Sequence, residues 1–308
     1  MTLTASAHWV VPDMQGEVLC AGRIYCDLVF TGLPDFARLG TEVFAGDMSL
    51  RAGGGAFITA AHLLDAGTPA HLLGRLGDDE FSNALVTQIR AAGLTTDFLA
   101  REHDTAAQVT VALNHAGDRA FVTHRHGPAL PPDAARAFDR GRITHVHFSE
   151  YATLRDARAL ADAALARGLV VSLDPSWDAK LLHPEALTDM ARGIDLFLPN
   201  LKEATVLTGA ATAKDALHIL GNHFPMVAIK CGANGAWFSQ NGRHYHSIAP
   251  GVRVLDTTGA GDAFNAGLIA GLMQGLPAQT VLDRAVARGA RAVTTIGGAP
   301  EHGKEVLT

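Results

Sequence analysis

The segment Asp256–Phe264 reads DTTGAGDAF and runs directly into the helical pattern Asn265–Met273. Glycines let backbone amides approach an anion closely, and the first turn of a helix adds unpaired N–H groups and the positive end of the helix dipole. The turn Gly259–Gly261 can therefore hold negative charge. Asp262 falls in the first helical turn, where a carboxylate can either cap the helix or accept a proton from a nearby hydroxyl.

Upstream of this turn, short apolar runs rich in branched residues alternate with Ala-rich stretches whose apolar residues recur every three or four positions. The first pattern predicts buried strands and the second predicts helices. The predicted strands are Val18–Ala21, His71–Leu73, His145–Phe148, Val170–Leu173, Leu196–Leu198 and Val227–Ile229, and the predicted helices are Ile58–Ala66, Glu80–Ala92, Leu154–Arg167, Ala213–His223 and Ala263–Gln274. This alternation predicts an α/β fold with a mainly parallel sheet covered by helices on both faces.

Two regions break the alternation, one from about residue 27 to 50 and one from about 98 to 126. Both carry β-like patterning with turn signals, such as Ala116-Gly117-Asp118, and have no long helical pattern. We expect them to pair into a small separate sheet. Since the sequence shows no repeat, low-complexity linker or charge run, residues 1–308 are expected to form one domain that carries this sheet.

The composition indicates a compact globular protein, with 48% hydrophobic residues, 18% charged residues and a formal net charge of −6. Negative net charge offers no general attraction to nucleic acid or to anionic membranes. No apolar run approaches the roughly 18 to 20 residues that a membrane span needs, and Met1–Pro12 lacks the basic and apolar regions of a signal peptide. We therefore expect a cytoplasmic protein without nucleic-acid or membrane partners.

The cysteine and histidine patterns favour core or surface residues over metal or disulfide sites. Three cysteines, Cys20, Cys26 and Cys231, are odd in number and show no C-x-x-C spacing. Three His-x-His pairs could each direct two imidazoles to one side of a strand, but none has a third ligand at zinc-like spacing. These pairs are His124/His126, His145/His147 and His244/His246.

The segment Asp256–Phe264 closely resembles the second signature of the ribokinase-like (PfkB) carbohydrate kinase family. The family's first signature, a Gly-Gly start followed by a helix and a Gly-Asp-Asp strand exit, is similar to Gly53–Ala56 through Leu73–Phe81. The resemblance covers nearly the whole chain. It implies a three-layer ribokinase-like fold with a small β-sheet lid, and transfer of the γ-phosphate of ATP to a hydroxyl of a sugar or sugar-like small molecule.

The resemblance also implies catalytic and nucleotide-binding residues. Asp262 corresponds to the family's general base, and the amides of Gly259, Ala260 and Gly261 correspond to its anion hole. The segments Pro199–Glu203 and Ala228–Gly235 resemble the Asn-x-x-Glu motif and the glycine turn beside the nucleotide. The residues thereby implied to bind ATP are Asn200, Glu203, Lys230, Gly232 and Gly235. Glu203 is also implied to organise Mg²⁺, which prefers hard oxygen ligands.

On the acceptor side, Asp27 follows a predicted strand and resembles the family's aspartate that binds substrate hydroxyls together with Gly53 and Gly54. Many members carry an asparagine four positions after the second glycine, where this chain has Ile58, which offers no hydrogen bond. The absence of this asparagine predicts weaker selection for one ribose or fructose hydroxyl. The alternative is that Ile58 belongs to the core and that another residue, such as Glu150 or the lid histidine His124, makes the missing contact.

Two further expectations follow from the resemblance. Many members use K⁺ bound behind the anion turn, which implies that Asp256 and Thr258, with a late loop near residues 294–298, hold a potassium ion here. The family's lid sheets also pair between chains. This implies a homodimer whose edge strands are covered.

Rival functions have less support. The sequence has no G-x-x-x-x-G-K-[ST] loop, and the dinucleotide fingerprint fails because Phe264 stands where its third glycine is needed. A nucleoside kinase of the same fold and a catalytically silent sugar-binding module remain alternatives, because fold does not dictate function. The intact Asp262 favours an enzyme. The sequence leaves the acceptor and the phosphorylated hydroxyl open.

Overall fold

A computed structural model describes residues 16–103, 105–115 and 118–300. Met1–Pro12 and positions 116–117 of the predicted turn lie outside these residues. The described strands are β1 (Glu17–Ala21), β2 (Tyr25–Thr31), β3 (Asp47–Gly53), β4 (Ala70–Leu76), β5 (Leu99–Arg101), β6 (Gln108–His115), β7 (Asp118–His124), β8 (Ile143–Phe148), β9 (Val170–Leu173), β10 (Leu196–Phe197), β11 (Met226–Lys230), β12 (Ala236–Gln240) and β13 (Arg243–Ser247). The described helices are α1 (Gly55–Asp65), α2 (Glu80–Ala91), α3 (Tyr151–Asp156), α4 (Arg158–Ala166), α5 (Ala186–Ala191), α6 (Leu201–Thr208), α7 (Ala213–Leu220), α8 (Ala260–Met273) and α9 (Ala278–Ala292).

Within the described residues, the large sheet has nine strands in the order β13-β12-β11-β10-β9-β8-β1-β4-β5. From β5 to β11 all neighbours are parallel, and β12 and β13 add an antiparallel edge. Every run predicted as a strand lies in this sheet. The prediction of a mainly parallel sheet is thus confirmed.

Helices cover both faces of the large sheet, as the side chains of β1 show. Val18 and Cys20 belong to one buried apolar cluster, which also contains residues of α1, α8 and α9. Leu19 and Ala21 belong to a second cluster, which contains residues of α4, α5 and α7. Because successive side chains of a strand point to opposite faces, the two clusters lie on the two sides of the sheet. This is the predicted three-layer arrangement.

The small sheet has four strands in the order β3-β2-β6-β7. The register places Asp27, Thr110 and Thr123 side by side on one face, and Leu28, Val111 and Val122 on the other. This sheet was predicted from the two irregular regions, with one correction. Strand β5, which lies in the predicted region 98–126, pairs with β4 of the large sheet instead.

Helix prediction was less complete than strand prediction. The pattern Leu154–Arg167 is divided into α3 and α4 at Ala157, whose φ of −115° is not helical. Helices α5, α6 and α9 were not predicted. In the part of the chain that the structure describes, no helix combines the length and apolar character needed to cross a bilayer.

Candidate active site

The anion turn, Gly259–Gly261, is fixed from behind by a carboxylate. Gly259 precedes α8 with a φ of 74°, a conformation that favours glycine. A side chain there would also strike Gly298 of the late loop. Asp256 accepts hydrogen bonds from the backbone N (2.9 Å) and Oγ1 (2.7 Å) of Thr258 and from the backbone N of Gly297 (3.0 Å). The turn and the late loop are therefore tied to one side chain.

Asp262 lies in the first turn of α8, facing a cavity and otherwise surrounded by protein. Burial, followed by the charge of Asp174, raises its pKa to about 7. The ammonium group of Lys230 works in the opposite direction. A carboxylate with a pKa near the working pH is suited to accept a proton from a hydroxyl. Asp262 does not cap α8, because the capping position is taken by Gly259.

Three consecutive glycines at the start of α1 leave room for acidic groups. A Cβ atom on Gly55 would lie 2.8 Å from Oδ1 of Asp262, and one on Gly53 would strike the carboxylate of Asp27. Between them, Gly54 has a φ of 99°. Larger residues at Gly53 and Gly55 would displace these acids. The Gly-Gly-Gly sequence thus brings the two predicted acidic residues up to one helix start.

Three polar side chains near Asp262, those of Lys230, Asp174 and Asn265, contact one another. The ammonium of Lys230 contacts the carboxylate of Asp174 and donates to Oδ1 of Asn265 at 3.3 Å. Asn265 in turn donates to Oδ2 of Asp174 at 2.6 Å. It lies one helical turn after Asp262 on α8, which places both side chains on one face. Nζ of Lys230 also lies 3.5 Å from the position of a Cβ atom on Gly261, so its positive charge adjoins the anion turn.

Glu203 is held at the start of α6 by a capping box. Oδ1 of Asn200 accepts from the backbone N of Glu203 at 2.9 Å, and Oε2 of Glu203 accepts from the backbone N of Asn200 at 2.8 Å. Glu203 is only 2% exposed. Burial, followed by the charge of Asp174, raises its pKa to about 7. Crowded carboxylates of this kind attract a cation.

Glu203 fits Mg²⁺ in the way that nucleotide enzymes hold it. Among the described residues, no group of three or more His, Cys, Asp or Glu side chains is arranged to bind a metal by itself. Mg²⁺ usually takes one or two carboxylates and completes its shell with water and substrate phosphates. Glu203 could supply one such carboxylate beside the anion turn, whereas Asp174 is held by Lys230 and Asn265.

Two cavities meet at the anion turn. The first, which we call the polar cavity, has a volume of about 510 Å³ and is lined by Asp262 together with residues of the small sheet. The second, the apolar cavity, has a volume of about 490 Å³ and lies between Phe264, Val252 and Val286. The two share Lys230, Gly232 and Gly261. A molecule in each cavity would therefore meet its neighbour at the anion turn.

The small sheet supplies one wall of the polar cavity through the face that carries Asp27 and Thr110. Tyr25, Thr110, Thr123 and Arg125 line the cavity. Arg125 forms an ion pair at 3.5 Å with Asp178, which lies in the connection between β9 and α5. Burial, followed by the charge of Glu150, raises the pKa of Tyr25 to about 12. The sheet thus closes the cavity with polar groups.

Most of the predicted site residues come together at these cavities. Asn200, Glu203, Lys230, Gly232, Glu150, Gly261 and Asp262 line the polar cavity, and Lys230, Gly232, Gly235, Ala260 and Gly261 line the apolar one. Asp27 lies beside the polar cavity rather than in its lining, and burial raises its pKa to about 6. Glu150 is 3.4 Å from Nε of Arg23, which partly neutralises it.

The position of Ile58 differs from the one expected from the sequence. It does not line the polar cavity, but is 4% exposed in the apolar core, where its side chain lies against Gly298 of the late loop. Its position in the second turn of a core-facing helix explains this orientation. The expectation that Ile58 contacts the acceptor is not met, and the alternative of a core residue fits the structure.

The residues expected to hold potassium contact an arginine. Nη1 of Arg119 lies 3.0 Å from Oδ1 of Asp256 and 2.7 Å from Oγ1 of Thr258, and Nη2 contacts Oγ1 of Thr257. These side-chain oxygens therefore already bind a cationic group. They do not fit a monovalent metal ion in this arrangement.

Sequence reasoning missed four groups of the site: Asp174, Asn265, Arg119 and the hydroxyl of Ser149. This hydroxyl lines the polar cavity and has no hydrogen-bond partner among the described residues. Of these four groups, only Asp174 had a sequence feature that could have predicted its place in the site. It directly follows the predicted strand Val170–Leu173, and ligands of open α/β sheets bind at the carboxyl ends of strands. Asn265 was read as part of a helical pattern.

Comparison with known proteins shows similarity to sugar kinases. The family described as pfkB family carbohydrate kinase matches residues 17–302. The chain is 26% identical over 214 residues to an uncharacterized sugar kinase of Archaeoglobus fulgidus, covering 66% of this chain and 82% of that one. It is 26% identical over 271 residues to fructokinase-2 of Zea mays, covering 82% and 78%. The solved structure of Arabidopsis thaliana ribokinase complexed with ribose and ATP matches with a TM-score of 0.78 at 20% identity, covering 92% and 95%, which is a likeness of fold.

Proposed function

Because this chain belongs to the pfkB family of carbohydrate kinases, we propose that it transfers the γ-phosphoryl group of ATP to a hydroxyl of a sugar or sugar-like molecule. The observation that carries the proposal is the meeting of two cavities at the anion turn, with Asp262 facing the polar one. ATP occupies the apolar cavity and directs its phosphates to Gly261 and Lys230. The acceptor occupies the polar cavity under the small sheet.

Asp262 acts as the general base. The acceptor oxygen forms a bond to the γ-phosphorus, the bond from that phosphorus to the oxygen bridging to the β-phosphorus breaks, and ADP leaves. The hydroxyl proton passes to Asp262, whose pKa of about 7 leaves it ionised in a useful fraction of molecules at neutral pH. Since the transition state of phosphoryl transfer is loose, alignment of the acceptor matters more than early removal of this proton.

The remaining groups stabilise charge. Developing negative charge on the phosphoryl oxygens falls on the amides of the anion turn and on Lys230, where preorganised donors are most effective. Asp174 and Asn265 hold the ammonium of Lys230 in place beside Gly261. Glu203 would hold Mg²⁺, which would neutralise part of the charge on the ATP phosphates.

The small sheet acts as the lid in this proposal, formed by β2, β3, β6 and β7. Its polar face covers the acceptor, and the ion pair between Arg125 and Asp178 joins it to the connection between β9 and α5. Exclusion of water from the polar cavity limits transfer of the phosphoryl group to water in place of the acceptor.

The opposite face of the lid suits a homodimer. Met48 and Val122 are 53% and 68% exposed, and the register places both on the apolar face with Leu28. Pairing of two lids would cover this face and the sheet edges. Light scattering at working concentration tests the dimer, and a monomeric mass would contradict it.

The cytoplasm is the proposed location of the protein, because it holds ATP.

The function is tested by incubating the protein with MgATP and a panel of sugars, sugar acids and nucleosides. We expect ADP to form together with an acceptor that gains one phosphoryl group, detected by mass spectrometry. The sugar arm tests the proposal against the nucleoside alternative. Binding of a sugar without ADP formation would indicate a silent binding module, and ADP formation without a phosphorylated acceptor would contradict the proposed transfer.

A further inference from the structure

Arg119 reaches from the lid to the back of the anion turn. It lies near the start of β7, 137 positions before Asp256, and its side chain is 26% exposed. Its guanidinium contacts one oxygen of each of three consecutive residues, Asp256, Thr257 and Thr258. The planar fork of a guanidinium suits such a row of acceptors, and it is charged at every working pH.

The carboxylate of Asp256 is fully engaged by these contacts. Oδ1 accepts from Arg119 and twice from Thr258, and Oδ2 accepts from Gly297. A carboxylate offers about four acceptor sites. Although burial acts in the opposite direction, the hydrogen bonds from Thr258 and Gly297 and the charge of Arg119 lower the pKa of Asp256. It therefore stays ionised and pairs with one positive charge.

A second lid arginine lies on the same side. Nη1 of Arg51, from β3, lies 3.1 Å from the position of a Cβ atom on Gly297. The lid therefore places positive side chains against both the anion turn and the late loop. A monovalent cation near Asp256 would meet repulsion from Arg119 and would have to displace it from Thr258.

We propose that Arg119 is the built-in cation of the anion turn: its guanidinium takes the role expected of potassium, so that phosphoryl transfer needs no monovalent metal ion. Arg119 is a positioning residue, because it fixes Asp256 and Thr258 and through them the amides of Gly259–Gly261. Since Arg119 belongs to the lid, the turn is fully braced only when the lid is in place. This inference rests on the proposed kinase function.

The test begins with the unmodified protein, whose turnover is measured in potassium, sodium and tetramethylammonium chloride at equal ionic strength. We expect kcat to agree within about twofold, because Arg119 already supplies the charge. In tetramethylammonium, Arg119→Ala should lower kcat by about 10- to 100-fold, somewhat less than removal of a direct oxyanion donor. Its KM for the acceptor should change much less, since Arg119 does not line the polar cavity.

Three further measurements separate positioning from general stability. Potassium or added guanidinium should restore part of the kcat of Arg119→Ala, and Arg119→Lys should retain more activity than Arg119→Ala. Potassium should also raise the thermal unfolding midpoint of Arg119→Ala relative to tetramethylammonium, with no such difference in the unmodified protein. The matched control is Arg38→Ala, an exposed arginine of the β2–β3 connection that pairs with Asp35, which should behave like the unmodified protein.

Two results would overturn the inference. One is activation of the unmodified protein by potassium of more than about fivefold over tetramethylammonium. The other is an Arg119→Ala variant whose kcat in tetramethylammonium is unchanged. Both presuppose phosphoryl transfer. Absence of transfer by the unmodified protein in every salt would instead contradict the proposed function.

Discussion

Replacement of Asp262 by asparagine is expected to separate activity from stability. The amide side chain would keep the shape of the carboxylate, but it cannot accept the proton from the acceptor hydroxyl. Loss of a general base typically lowers kcat by about 10² to 10⁴. ATP binding should persist, because the apolar cavity is lined by other residues, such as Phe264 and Gly235.

The same variant should be more stable than the unmodified protein at alkaline pH. Burial and Asp174 raise the pKa of Asp262 from its ordinary value of 3.8 to about 7. A raised pKa means that the ionised carboxylate destabilises the fold. The stability contributed by the protonated form is intact below about pH 4 and is lost as the pH rises to 7. Since one pKa unit corresponds to about 1.4 kcal/mol, Asp262→Asn should gain up to about 4 kcal/mol above pH 7.

The assay is urea unfolding at pH 5.5 and pH 8, together with steady-state kinetics at pH 8. Asp162→Asn, at an exposed position on α4, is the matched control and should change neither quantity. The gain in unfolding free energy of Asp262→Asn should be larger at pH 8 than at pH 5.5. A variant with kcat within tenfold of the unmodified protein would refute the role of the base. A gain that does not grow with pH would refute the electrostatic reasoning.

Three other substitutions probe the Mg²⁺ site, the acceptor site and the core. Glu203→Gln should raise the Mg²⁺ concentration needed for half-maximal activity by about tenfold or more, and an unchanged Mg²⁺ titration would remove Glu203 from that role. Gly53→Ala introduces a methyl group against Asp27; KM for the acceptor should rise while KM for ATP stays constant, and an equal rise in both would point to general damage. Ile58→Asn buries an amide at a 4% exposed core position and should cost about 2 to 4 kcal/mol of unfolding free energy, measured in urea. The order of acceptors should not change, and a new preference for ribose would restore a specificity role for Ile58.

The sequence predicted the parts of this molecule that depend on local chemistry. The apolar run Val170–Leu173 is buried on both faces, as is typical of a central strand in a parallel sheet. The anion turn could be predicted from the sequence because the glycine spacing and the start of a helix together create an anion site. Glu203 was predicted from its motif, although its burial within a capping box was not evident from the sequence.

What escaped prediction depends on contacts between distant residues. Nothing near Arg119 indicates that its guanidinium contacts Asp256, because the packing of the lid brings them together. Ile58 was read as a site position from its spacing after the glycines, but its orientation depends on the late loop at Gly298. Strand β5 is only three residues long and shows no pattern of its own. Its place in the large sheet is set by pairing with β4.

The central claim, that a phosphoryl group passes between the two cavities at Asp262, is tested most directly by following labelled phosphate. The unmodified protein and Asp262→Asn are incubated side by side with MgATP labelled in the γ-phosphoryl group and with the best acceptor of the panel. The account predicts that the label appears on the acceptor with the unmodified protein and that the rate falls by about 10² to 10⁴ with the variant. Label found only in inorganic phosphate, or transferred equally fast by both proteins, would contradict it.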